Sequence, residues 1–148
     1  MAPMITIEER ALRHAVSPFL CEELLILGID AALCQYQYLI GDHQIFLRNY
    51  QWDHAGIYRE TDEGFFEACG HKIRKTLGAF TGSDMEALLP PYMMVKDGMQ
   101  DYKISLDSWY DNIDIAQDRR APDALARMVI DLLKKNVLKP AQCNQILM

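Results

Sequence analysis

The sequence predicts an all-α fold, a single-domain bundle of five or six amphipathic helices over residues 1–148. Three observations carry that expectation. Apolar residues recur at helical spacing in most segments, and short polar turn signals separate those segments. Half of the 148 residues are hydrophobic, enough to fill a core without disulfides or metal. One alternative stays open, an α+β arrangement with a hairpin at about residues 33–52.

Thr6 and Glu9 have the spacing of a capping box, so a first helix is expected from there to about Val16. Ser17 followed by Pro18 opens a second helix, which carries Phe19, Leu20, Leu24 and Leu27 and ends at Gly28. Asp30 caps a third, in which Ile29, Leu33, Tyr36, Ile40, His43, Leu47 and Tyr50 recur at alternating steps of four and three. In the same stretch Cys34, Tyr36, Tyr38 and Ile40 alternate with Gln35, Gln37 and Leu39. Gly41-Asp42 then offers a turn into Ile45 to Trp52, which is the basis of the hairpin alternative. The helical pattern accounts for more residues and is preferred.

After a connection over Asp53 to Thr61, Asp62 and Glu63 open a helix with Phe66, Cys69, Ile73, Leu77 and Phe80 on its apolar line. Lys72, Arg74 and Lys75 lie toward its end, as the helix dipole favours. Ser83 caps a short turn through Leu89, and Pro90-Pro91 stops it. Tyr92 to Gln100 is irregular, a Met-rich loop holding Met93, Met94 and Met99 with Lys96-Asp97-Gly98 as its turn. Asp101 to Arg120 reads as the central helix. Its apolar face is Tyr102, Leu106, Trp109, Ile113 and Ala116, and Asp107, Asp111, Asp114 and Asp118 line the opposite one. Pro122 and Asp123 begin the last long helix, with Leu125, Met128, Val129, Leu132, Leu133 and Val137 as its stripe. Pro140 breaks it before a short tail.

A formal net charge of -6 argues against a surface that tracks phosphate backbones, so nucleic acid is not an expected partner. Cys21, Cys34, Cys69 and Cys143 form no C-x-x-C pair and read as buried thiols of a reducing compartment. The N-terminus does not resemble a signal peptide, and the longest apolar run, Leu24 to Ile29, is too short for a bilayer. The expectation is a cytoplasmic protein without membrane contact.

No nucleophile elbow, phosphate-cradling loop or dinucleotide fingerprint occurs. The chain therefore reads as a protein-binding or regulatory protein, an inhibitor, chaperone or immunity-type antidote, rather than an enzyme, and no cofactor is expected. Its binding surface is placed on the acidic helix face of Asp107, Asp111, Asp114 and Asp118 and on Met93, Met94 and Met99, suited to a partner with a basic surface. Trp52, Asp53 and His54 are pocket candidates, and a homo-oligomer burying one helix face is a further reading.

The alternative is a divalent-metal-dependent hydrolase of a phosphorylated small molecule, with Glu63, Glu67, Asp107 and Asp111 on two helices holding the metal. The spacing of these four residues is similar to that in the all-α nucleotide pyrophosphohydrolases, which hold Mg²⁺ with acidic pairs on neighbouring helices. The family's E-E-x-x-E cluster is absent. Asn49-Tyr50-Gln51-Trp52 followed by Gly56 resembles the end of the first helix in ferritin-like Dps proteins. Gln51 stands where that family has a ligand histidine and no E-x-x-H pair occurs, so iron chemistry is not expected.

Overall fold

The computed structural model describes residues 14–34, 36–41, 45–49, 74–98, 101–106 and 113–148. Over these residues the chain is mixed α+β. It runs through helix α1 (Pro18–Ile26), a 3-10 turn (Ala31–Leu33), strands β1 (Tyr36–Ile40), β2 (Ile45–Asn49) and β3 (Lys75–Ala79), and helix α2 (Gly82–Leu88). Strands β4 (Tyr92–Asp97), β5 (Asp101–Leu106) and β6 (Ala116–Asp118) follow, then helices α3 (Ala121–Lys134) and α4 (Pro140–Leu147). The strands form two three-stranded antiparallel sheets, ordered β2-β1-β3 and β4-β5-β6. The expected all-α bundle is thus overturned.

The helical seam through residues 29–50 gives way to strand pairing because β1 is a central strand buried on both faces. Tyr38 lies opposite Leu47 and Leu77 on one face, while Leu39 is fully buried on the other. A strand covered on both sides is apolar at nearly every position, and such a run also fits a helical template. The alternation that suggested a hairpin describes the observed pair. Asp30 does act as a cap, but of the 3-10 turn, where its Oδ1 accepts from the Ala32 amide at 2.9 Å.

The helix expected over 62–80 is a strand in its described part, β3. Gly78 lies close under the 3-10 turn, since a Cβ there would come within 2.9 Å of Cys34 Sγ. Thr81, not Ser83, caps α2 through a reciprocal capping box with Asp84. The Met-rich loop is β4, which ends at Gly98 in a left-handed turn with φ +61°. The central helix expected over 101–120 is β5 and β6 in its described parts. Tyr102, Ile104 and Leu106 share one face of the sheet, and Ile104, wholly buried, lies between Met94 and Ala116. No helical column of aspartates forms among the described residues.

Two helices form where their signals stand. Ser17-Pro18 starts α1, and Gly28 ends it with φ +108°. The Ile29 amide returns to the Leu24 carbonyl and that of Gly28 to Leu25, both at 3.1 Å, the pattern of a Schellman cap. A Cβ at Gly28 would also lie 3.0 Å from Pro140 Cβ. Gly28→Ala is therefore expected to cost about 1–3 kcal/mol from the left-handed backbone and the contact together. A lowered urea midpoint at unchanged slope is the readout, and an unshifted midpoint would show that the cap relaxes freely.

Helix α3 buries Leu125, Met128, Val129, Leu132 and Leu133, the stripe read from the sequence, whereas Val137 lies beyond its end and is exposed. Pro140 begins α4 rather than closing a helix, since a proline in the first turn forfeits no hydrogen bond. Asn144 on α4 accepts from the Asp30 amide at 2.8 Å and donates to the Gly28 carbonyl at 3.1 Å, tying the C-terminal helix to the end of α1. One apolar cluster joins α1, β1, β3, α2, β5, α3 and α4. Among the described residues no helix is long and apolar enough to cross a membrane.

Candidate functional site

A buried polar knot positions the start of α3. Asp123, only 2% exposed, accepts from the Ser17 amide at 2.7 Å and from the Ser17 hydroxyl. Arg120 reaches both carboxylate oxygens at 3.3 Å, donates to Ser17 Oγ at 2.8 Å, and donates to the Ala15 carbonyl at 2.8 Å. Ala15 bridges to Thr81 and the Val16 amide binds the Phe80 carbonyl, so the segment before α1 lies beside the end of β3. The knot thus brings α1, α2 and α3 to one place. A buried charge is tolerated here because its oxygens are satisfied and a guanidinium neutralises it.

The Val16 carbonyl accepts from both Tyr38 Oη at 2.6 Å and Cys21 Sγ at 3.3 Å. Burial, the largest cause, pushes the Cys21 thiol from an ordinary 9.0 up to about 12, and it raises the Cys34 thiol and the Tyr38 phenol as well. The unfolded chain gives up the Cys21 proton near 9, while the folded chain keeps it until near 12. Stability is therefore full below pH 9 and falls as pH rises through that window. Urea midpoints should decline between pH 9 and 11 and decline less steeply in Cys21→Ala. A flat profile over that range would contradict this account.

The most exposed apolar surface of the second sheet lies on β4. This strand is bounded by Pro91, which cannot extend the ladder, and by the turn at Gly98. It pairs with β5 on one side and forms an edge of the sheet among the described residues. Met93 is 63% exposed, Met94 40% and Val95 51%. Tyr92, Met94 and Lys96 oppose Leu106, Ile104 and Tyr102 on the inner face, so Met93 and Val95 occupy the outer face. The Lys96 ammonium lies 5.3 Å from the centre of the Tyr102 ring. Tyr92 donates to Glu86 Oε1 at 2.8 Å. Partial burial, then that bond and the carboxylate charge, push the Tyr92 phenol up to about 12.

Beside this edge opens a cleft of about 490 Å³, lined by Met94 and Tyr102 of the sheet, Ser83 and Glu86 of α2, and His14 and Arg119. Its wall also includes Arg120, whose guanidinium is already engaged by the knot. The cleft therefore offers polar groups of both signs next to an apolar strand edge.

The residues singled out in the sequence do not converge. Met93 and Met94 lie together on β4, and Met99 falls outside the described residues. Asp118 is in β6, where its carboxylate pairs with Arg127 at 2.8 Å, and Asp114 is exposed in the approach to that strand. Asp107, Asp111, Trp52, Asp53, His54, Glu63 and Glu67 all lie outside the described residues. Among those that are described, no three His, Cys, Asp or Glu side chains gather to hold a metal. Val95, Lys96 and Glu86 were missed. The signal for β4 was available, since Tyr-Met-Met-Val between Pro91 and Gly98 is a short apolar run bounded by turn residues. The chain matches no family model, no curated protein and no solved structure.

Proposed function

We propose that this chain is a protein-binding, regulatory protein that takes up an extended segment by strand addition at β4. The observation that carries this reading is the exposed run Met93-Met94-Val95 on a strand that forms a sheet edge among the described residues. Sheet edges are ordinarily blunted by charge, proline or a covering element, because an open apolar edge invites another strand. Here Pro91, Lys96 and Asp97 stand at the two ends of the strand, and none of Met93, Met94 and Val95 between them carries a charge. Main-chain hydrogen bonds supply affinity in this mode, and alternate side chains supply specificity. The free, buried Cys21, Cys34 and Cys143 accord with a reducing compartment, and we place the protein in the cytoplasm.

The acidic-face version is not carried forward, since Asp114 and Asp118 lie before and within β6 and not on a helix, and Asp107 and Asp111 lie outside the described residues. A photoreactive side chain at position 93, compared with one at position 146, which is similarly exposed at 53%, tests the proposal in cells that express the protein. Adducts specific to position 93 are expected. Equal labelling at both positions would count against strand addition.

A further inference from the structure

We infer that the segment added to β4 is β4 of a second copy of this chain, forming a two-fold dimer whose two three-stranded sheets become one. The inference rests on the strand-addition reading and names its occupant. In an antiparallel pair, inner-face residues remain on the inner face only if they oppose inner-face residues. A two-fold axis between identical strands therefore passes through a residue, and three positions within β4 give useful overlap.

With the axis at Met94, Met94 opposes its own copy, Met93 opposes Val95, and Tyr92 opposes Lys96. Each exposed apolar side chain then meets an apolar one. With the axis at Val95, Lys96 opposes Met94, which sets a charge against a methionine. With the axis at Met93, Val95 opposes Pro91, which has no amide to pair, and Lys96 lies beyond the overlap. The register through Met94 is the one in which the run Met93-Met94-Val95 meets only itself and Pro91 falls outside that run, opposite position 97 at the strand end.

Charge complementarity supports the same register. Tyr92 holds Glu86 through its hydroxyl at 2.8 Å, so Lys96 of the second copy, opposite Tyr92, comes beside the Glu86 carboxylate. Symmetry makes that contact twice, as an isologous interface requires. Lys96 presently rests over Tyr102, a contact it can share or exchange for the carboxylate. Met94 lines the cleft of about 490 Å³, so the inward methionine of the second copy faces open volume rather than a packed wall.

The test is light scattering on the full chain over a dilution series. Wild type should move from the mass of two chains to that of one as it is diluted. Lys96→Glu should raise the dimer Kd by roughly tenfold or more, and adding Glu86→Lys to it should restore the dimer. Circular dichroism verifies that each variant is folded. A single-chain mass at every wild-type concentration, a Lys96→Glu dimer as tight as wild type, or a swap that fails to restore association would overturn the inference. Photocrosslinking at position 93 separates the two readings. Self-adducts support both, adducts only to a different protein overturn the second copy while strand addition stands, and no adduct overturns both.

Discussion

Asp123→Ala is expected to lower stability by about 3–5 kcal/mol, the range for removing one partner of a buried ion pair. The substitution leaves the Ser17 amide, the Ser17 hydroxyl and part of the Arg120 guanidinium without their acceptor. Arg120 retains the Ala15 carbonyl and is partly exposed, so water recovers some of its loss. Since a domain of this size is stable by about 5–15 kcal/mol, the variant keeps a small margin. Thermal melts should shift down by roughly 10–16 °C. Asp123→Asn retains an acceptor and should fall between wild type and alanine. A shift of under about 3 °C for Asp123→Ala would show that the knot is dispensable.

The substitution expected to affect function most is the pair Met93→Lys with Val95→Lys. Both side chains lie on the outer face and are more than half exposed, so the fold loses little, within about 0.5 kcal/mol for each change. An added strand, in contrast, must bring its own side chains against these two positions. Two ammonium groups there impose desolvation, and binding at β4 should weaken by at least about thirtyfold, the effect of losing a central contact. Adducts at a photoreactive residue placed at position 94 should disappear while the melting temperature stays near wild type. Unchanged adducts would place the binding surface elsewhere on the chain.

How much of this was legible in the sequence depended on how local each signal is. Ser17-Pro18, Gly28, Asp30 and the stripe of α3 could be read because caps and an amphipathic period act within a few residues. The candidate site was legible only in part. Met93 and Met94 were singled out as a contact surface, but as a loop, because three methionines carry little strand preference. Val95 and Lys96 acquire meaning only as positions on an edge, and Glu86 only through its contact with Tyr92.

Residues 101–106 and 116–118 show where local reading stops. Tyr102 and Leu106 suit one face of a helix four residues apart, and they suit one face of a strand equally well. Ile104 decides between the two, since its burial between Met94 and Ala116 requires partners far along the chain. Once this stretch is extended, an aspartate that seemed part of a column becomes the β6 partner of Arg127. The sequence by itself determined where helix α1 begins and ends, where α3 begins, and which residues are apolar. Tertiary structure alone decided the pairing of β1 with β3, the edge position of β4 among the described strands, and the meeting of Asp123 with Ser17. Those depend on groups distant in sequence, and no local period encodes which of them will meet.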